Sequence, residues 1–216
     1  MLAVPAAAGA TTLFGSGSSA EQPIMNVLFR AYNKLHKNIR FNYLPDGGNA
    51  GVVDVQAGRR LFSINTRPPL PSDSGTTYFK LWLDGLCIAV NPSNSVSNLT
   101  IAQTKNIFTG VANNWSQGFG SNLTSTIDPI GRNSTAGLYT FFQQAVLGGA
   151  TQSSNVQQVT SDGLVATAVS KDQNAIGYVG IAHTGKGSGV KSLDVSGSHA
   201  RLPRAWGSAP PAHATA

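Results

Sequence analysis

The chain has 216 residues, of which 41% are hydrophobic and only 11% are charged, and this apolar content excludes a disordered chain. Lys and Arg outnumber Asp and Glu by 15 to 9, but the basic residues are scattered without interleaved aromatic residues, which argues against nucleic-acid binding. The single cysteine, Cys87, excludes an internal disulfide and a cysteine-based metal cluster, and no apolar run is long enough to span a membrane.

The two ends of the chain differ in composition from the body. Residues 1–10 are small and apolar, and we expect a signal-peptide remnant or a disordered start. Residues 204–216 are rich in Ala and Pro, and we expect a disordered tail. The ordered body should therefore lie between these segments.

Strand-like and helix-like patterns alternate along the body. Period-two or continuous apolar patterns predict strands at 12–14, 39–43, 61–64, 86–90, 126–130, 175–179 and 190–195. Helical periodicity predicts helices at 24–35, 50–57, 101–108, 138–147 and 163–169. Thr100 with Gln103 forms a capping-box signature, and Ser161 is placed to cap the last helix. The alternation predicts an α/β protein with a mostly parallel sheet.

Three loops share one design, in which small polar residues lead directly into a predicted helix. They are residues 15–20, 46–51 and 131–137. The open N–H groups and the dipole of a helix N-terminus favour an anion, and Arg132 adds a guanidinium that can hold an oxyanion. For any one loop taken alone, simple capping and turn formation is the better interpretation. Three such loops in one α/β chain favour a shared anion site, because ligands gather at the carboxyl ends of strands.

Other kinds of site have weaker support in the sequence. Residues 15–20 satisfy the glycine pattern of a dinucleotide-binding loop, with Asp46 as the candidate ribose ligand, but Pro23 fits that helix poorly. The four histidines show no metal-ligand spacing, and no nucleophile elbow or phosphate-cradling lysine motif occurs. We therefore expect no metal, no cofactor and no enzymatic activity. A dinucleotide-binding enzyme remains a remote alternative.

The order of these segments resembles a known family. The resemblance is carried by GSGSSAEQP (15–23), YLPDGGNAGV (43–52), FSINTRPPL (62–70), IAVNP (88–92), NLTIAQTKNIFTG and NNW (within 98–115), IGRNSTAG (130–137) and AIGYV (175–179). Together they are similar to the phosphate-binding component of bacterial phosphate ABC transporters, one of the two-lobed periplasmic binding proteins. No single motif carries the likeness; their order and spacing do.

The resemblance implies two α/β lobes joined by two crossing segments, with an anion bound between them. Lobe 1 would comprise residues 11–90 and 183–203, and lobe 2 residues 91–182. The implied ligand-binding set is Ser18, Ser19, Ala20, Gly48, Asn49, Arg67, Arg132, Ala136, Gly137 and Leu138. The implied ligand is phosphate or a related oxyanion, and the implied partner is the membrane subunit of an ABC transporter. The protein would be secreted, periplasmic or on the cell surface.

Three departures from the family pattern bear on this site. Gly48 stands where the family has a serine, Arg67 where it has an aspartate, and residues 136–138 where it reads Ser-Gly-Thr. Each lost hydrogen bond to a charged ligand would weaken binding by about 1.5–3 kcal/mol. Arg67 either faces the site, where it would favour a fully ionised anion, or points outward. The losses leave open a second function, a binding-degenerate interaction or adhesion module on the same fold.

The length of the chain is a further departure. Family members continue past the second crossing with chain that packs on lobe 1. Here Pro203 is followed directly by the low-complexity tail. Either the chain is a minimal form or something else, such as a second subunit, covers that face, and an exposed apolar patch would be its sign.

Overall fold

The computed structural model describes residues 9–196. The predictions for residues 1–8 and for the tail therefore lie outside the described residues. The part of lobe 1 that was expected at 197–203 lies outside them as well. No helix within 9–196 has both the length and the apolar character that crossing a membrane requires.

The first half of the chain builds a three-stranded parallel sheet in the order β2-β1-β3. Its strands are β1 (Thr11–Gly17), β2 (Ile39–Leu44) and β3 (Phe62–Ile64). Helix α1 (Gln22–Leu35) connects β1 to β2, and α2 (Gly48–Gln56) connects β2 to β3. A short 3-10 turn, Pro71–Asp73, follows β3. This unit places the N-termini of both helices at the carboxyl ends of the strands that precede them.

The second half builds a five-stranded mixed sheet in the order β7-β6-β8-β4-β9. Its strands are β4 (Leu86–Val90), β6 (Asp128–Arg132), β7 (Gln157–Val159), β8 (Ala175–Gly180) and β9 (Lys191–Ser192). Helices α3 (Ile101–Phe108), α4 (Gly137–Ala145) and α5 (Asp162–Lys171) surround it, and η2 (Ile181–His183) is a single 3-10 turn after β8. Strands β5 (Asn98–Thr100) and β10 (Asp194–Ser196) form a separate parallel pair.

The predicted fold class is confirmed. Among the described residues, five of the seven strand pairings are parallel; the antiparallel ones join β4 to β8 and β4 to β9. The strand pairing differs from the expected division of the chain in two places. Strand β4 lies inside the second sheet although residues 11–90 were expected in lobe 1. Strands β9 and β10 pair with β4 and β5 although residues 183–203 were expected to return to lobe 1.

Local signals located the helix starts well. Thr100 accepts a hydrogen bond from the N–H of Gln103, whose side chain binds back to Thr100, so the predicted capping box is confirmed. Ser161 caps α5 by accepting from the N–H of Leu164. Three strands were placed less well, and the one expected at 190–195 is divided into β9 and β10. β1 continues to Gly17, into the predicted loop, and β6 covers 128–132 rather than 126–130.

The hydrophobic core lies almost entirely in the second half. Both clusters of buried apolar side chains are built from residues 88–193, with Ala20 as the one contribution from the first half among the described residues. The predicted helical periodicity of α1 is real, but its apolar positions face outward, and Leu35 is 81% exposed. The same holds for Ile24, Val27 and Leu28. Helix α1 thus has an exposed apolar face.

Candidate functional site

The predicted anion loops meet in a cleft between the two sheets. Ser19 from the loop before α1 contacts Arg132 at the end of β6, over a separation of 113 residues. Asn49 in the first turn of α2 contacts the loop at 134–136 that precedes α4. The segments come together because each follows a strand at the same edge of its sheet.

Arg132 forms a buried ion pair with Asp162 at the bottom of this cleft. Asp162 also accepts hydrogen bonds from the Ser19 hydroxyl at 3.2 Å and from the N–H of Gly180 at 2.9 Å. Ser19 in turn accepts from the Arg132 Nη1 at 2.9 Å and from the N–H of Asp162 at 3.1 Å. One serine of the first half therefore joins the arginine and the aspartate of the second half.

The Arg132 guanidinium is nearly saturated by the protein. Its Nε donates to the carbonyl of Val159, and its Nη2 donates to the carbonyl of Thr160 at 2.8 Å. With the bonds from Nη1, four of its five N–H groups are used, which leaves one for a ligand. Burial lowers the pKa of Arg132 to about 10, so the side chain remains charged at neutral pH. Asp162 neutralises this charge, and the pair as a whole is close to neutral.

The N-terminus of α4 is the candidate anion-binding element, because no side chain caps it. Ala136, Gly137 and Leu138 are buried there, and the first N–H groups of a helix have no acceptor within the helix. The Thr66 hydroxyl lies beside this terminus, about 3.0 Å from where a Cβ on Gly137 would stand. The Thr66 Oγ1 is buried and has no hydrogen-bond partner within residues 9–196.

A cavity of about 580 Å³ adjoins this terminus, lined in part by Thr66, Leu138, Phe141 and Trp82. Thr66 and the first turn of α4, through Leu138, thus border one space.

The N-terminus of α2 is arranged differently. The N–H groups of Asn49 and Ala50 donate to the carbonyl of Thr135, at 2.9 and 3.3 Å. A carbonyl of the opposite lobe therefore occupies the donors that the sequence assigned to an anion. Gly48 is buried and packs closely against the Asn65 side chain.

Arg67 does not offer its charge to the cleft. Its guanidinium forms a bidentate ion pair with Asp73 at 2.7 and 2.9 Å, and both side chains are buried. Burial would raise the pKa of Asp73, but hydrogen bonds from Arg67, Leu70 and Tyr78 outweigh it and lower the pKa to about 2. The Arg67 Nε donates to the Asn49 Oδ1 at 2.6 Å. The sequence left open whether the Arg67 side chain faces the ligand site or points outward to solvent. In the structure it does neither, because it is buried and paired with Asp73.

The remaining predicted positions shape the first loop. The Ser18 hydroxyl accepts weakly from the N–H of Glu21 at 3.4 Å, so it serves the start of α1. Ala20 is buried in the same apolar cluster as Leu138, which brings the α1 and α4 loops together. Asp46 accepts a hydrogen bond from the N–H of Gly17, so its carboxylate helps to fix the first loop.

Comparison with known proteins agrees with this geometry. A family model described as "PBP superfamily domain" matches residues 3–208. The chain belongs to the PBP superfamily. The predicted resemblance is thereby confirmed at the level of the superfamily, and its two-lobed α/β fold with it.

The relatives of this PBP-superfamily chain include proteins named for phosphate. It is 32% identical over 175 residues to a phosphate-binding protein PstS of Staphylococcus epidermidis, an alignment that covers 77% of this chain and 53% of the relative. A PstS of Staphylococcus aureus is 27% identical over the same length, again with 77% and 53% coverage. The chain therefore spans about half the length of the curated relatives it matches.

Solved structures show the same fold. A putative phosphate ABC transporter substrate-binding protein of Clostridium perfringens, solved with bound phosphate, superposes with a TM-score of 0.81 at 24% identity, covering 90% of this chain and 80% of that one. An ABC-type phosphate transport receptor of Vibrio cholerae has a TM-score of 0.65 at 27% identity, with 87% and 78% coverage. No group of three or more potential metal ligands occurs within the described part of this PBP-superfamily chain.

Two residues of the site were missed from the sequence. Asp162 lies in the first turn of a helix, where acidic residues are common, so its position did not indicate a site residue. It is one of only nine acidic residues in the chain. Its full burial depends on contacts with Ser19 and Arg132, which lie 143 and 30 residues away. Thr66 was not predicted as a site residue, because the charge of the adjacent Arg67 made Arg67 the candidate in this segment. The sequence signal that could have indicated Thr66 is a polar residue in an irregular segment directly after a strand.

Proposed function

We propose that this chain is an extracytoplasmic solute-binding protein that holds phosphate between its two lobes. The open N-terminus of α4, beside the unpaired hydroxyl of Thr66 and the Ser19–Arg132–Asp162 cluster, is the observation that carries this proposal. The names of the relatives support phosphate as the anion. Binding is the whole activity: the proposal includes no catalysis, and the partner it implies is the membrane subunit of an ABC transporter.

The donors at this site explain how an anion is held despite the lost side-chain hydroxyls. Gly137, Leu138 and Tyr139 supply the first free N–H groups of α4, and the helix dipole favours negative charge there. Arg132 contributes one N–H. The Thr66 hydroxyl can donate a hydrogen bond to the anion or accept one from it. A protonated phosphate oxygen requires such an acceptor and fully ionised sulfate does not. We therefore expect phosphate to bind more tightly than sulfate.

Isothermal titration calorimetry with Thr66→Val tests this assignment. Valine keeps the shape of threonine but has no hydroxyl, so one hydrogen bond to a charged ligand is lost. We expect the phosphate Kd to rise about tenfold to a hundredfold, corresponding to about 1.5–3 kcal/mol. Arg132→Ala is a poorer test, because it leaves the buried Asp162 without its cation and destabilises the fold.

The matched control is Thr12→Val on the exposed part of β1, which should leave the Kd unchanged. Sulfate and chloride are titrated into the same wild-type sample. Absence of phosphate binding by the wild-type chain would contradict the proposed function. An unchanged phosphate Kd in Thr66→Val would remove Thr66 from the site while leaving the function standing.

A further inference from the structure

A chain of hydrogen bonds crosses the mouth of the cleft through Asn49. The two N–H groups of its side-chain amide lie within hydrogen-bond distance of three acceptors: the carbonyl of Ser134 at 2.8 Å, the carbonyl of Ala136 at 3.2 Å and the hydroxyl of Thr140 at 2.9 Å. All three acceptors belong to the second lobe, whereas Asn49 lies on α2 of the first. One side chain thus holds both the loop before α4 and the first turn of that helix.

Arg67 and Asp73 fix the orientation of this amide. The Arg67 Nε donates to the Asn49 Oδ1, which directs the two N–H groups of Nδ2 across the cleft. Arg67 is itself held by the bidentate pair with Asp73, and Asp73 also accepts from the Tyr78 hydroxyl at 2.8 Å. The guanidinium that the sequence assigned to an anion is therefore part of a buried support behind Asn49.

The backbones of the two lobes also touch at this point. Gly47 adopts a φ of +115°, and a Cβ there would collide with the carbonyl of Thr135. The same carbonyl accepts from the N–H groups of Asn49 and Ala50. The N-terminus of α2 is consequently capped by the opposite lobe, and opening of the cleft would expose both donors to water.

We propose that Asn49 is the closure latch of the cleft and that Arg67 is its positioning residue, neither of them binding the anion. This inference rests on the proposed function only in that the anion lies between the lobes. A latch that favours the closed state raises the fraction of molecules that are competent to hold the ligand, and the apparent Kd falls accordingly. The latch therefore sets affinity without contacting the ligand.

The test is Asn49→Asp, measured first without ligand. Aspartate keeps the shape and the oxygen that faces Arg67, but it replaces the N–H donors with a second acceptor that opposes the carbonyls of Ser134 and Ala136. We expect the backbone amides at positions 49 and 50 to exchange hydrogen at least tenfold faster in the variant than in the wild type. We also expect a larger radius of gyration in small-angle X-ray scattering.

Two further variants make the result interpretable. Asn42→Asp on the exposed edge strand β2 introduces the same charge away from the cleft and should change neither measurement. Thr140→Val removes one acceptor from the opposite lobe and should give a smaller increase in exchange at positions 49 and 50. The amide of Val179 in the second sheet reports global unfolding and should stay protected in every variant.

Phosphate titration then separates a latch from a ligand contact. We expect the phosphate Kd of Asn49→Asp to rise about tenfold, together with the faster exchange of the ligand-free protein. Unchanged exchange and an unchanged radius of gyration would overturn the latch, whatever the Kd does. If the wild-type chain does not bind phosphate, the proposed function fails, but the ligand-free exchange data still decide the latch.

Discussion

At the scale of single residues, Glu21 is the side chain whose charge the fold constrains most visibly. It is buried at the start of α1, where the indole N–H of Trp82 donates to it at 2.8 Å. Burial and the nearby charge of Asp84 raise the pKa of Glu21 from its ordinary value of 4.5 to about 7. Folding therefore favours the protonated carboxyl.

This shift predicts a pH-dependent stability that Glu21→Gln removes. Because the folded pKa lies above the unfolded one, the stabilisation is fully present below pH 4.5 and is lost as the pH rises to about 7. The difference corresponds to at most about 3 kcal/mol. Glutamine still accepts from Trp82 and does not ionise, so the melting temperature of the variant should exceed that of the wild type increasingly from pH 4.5 to 7.

Thermal unfolding of both proteins across this pH range checks the prediction. Asp194→Asn, at an exposed position on β10, is the control for loss of one carboxyl. Parallel melting curves for wild type and Glu21→Gln at every pH would contradict the assignment. The Asp73 carboxyl does not confuse the result, because its lowered pKa of about 2 affects stability only in more acidic solution.

The same scale shows why some site residues could be predicted and others could not. Ser19, Arg132 and Gly137 follow strands and precede helices, so the order of elements alone brings them to one cleft. The pairing of Arg67 with Asp73 was not predicted, because Asp73 is brought to it by the 3-10 turn at 71–73, which no strong sequence pattern indicates. The sequence of a loop does not show whether a charged residue in it is paired with an opposite charge in the folded protein.

At the scale of elements, capping residues correctly predicted where helices begin. Apolar periodicity was less reliable as a guide to which face of a helix is buried. Thr100 and Ser161 act within their own helix turns, and the structure confirms both. The apolar stripe of α1 is as regular as that of a core helix, yet its residues Ile24 and Leu35 are exposed. Periodicity reports that a face is apolar; what covers that face depends on chain or partners outside the helix itself.

The two helix N-termini at the cleft illustrate the same limit. Helices α2 and α4 follow similar small-residue loops and looked equivalent in the sequence. The carbonyl of Thr135 caps α2, whereas the first turn of α4 remains free to take a ligand. This difference arises from contact between two loops about 85 residues apart, which local sequence cannot show.

At the scale of the whole molecule, the uneven core predicts unequal stability of the two halves. Apart from Ala20, the buried members of both apolar clusters lie in residues 88–193. Among the described residues before 88, only Ala20, Met25 and Val52 are buried and hydrophobic. Native-state hydrogen exchange should find the central amides of β4 and β8 at least tenfold slower to exchange than those of β1 and β2. Equal protection of the two sheets would show that the exposed apolar face is covered in solution.

We expect phosphate to bind at the N-terminus of α4 and not at that of α2. Two-dimensional amide NMR during a phosphate titration of the ¹⁵N-labelled chain tests this most directly, because each helix start is read separately. We predict large, saturable shifts for the amides of Gly137, Leu138 and Tyr139, with those of Asn49 and Ala50 nearly unchanged. Shifts at Asn49 and Ala50 as large as those at α4, or none at α4, would contradict it.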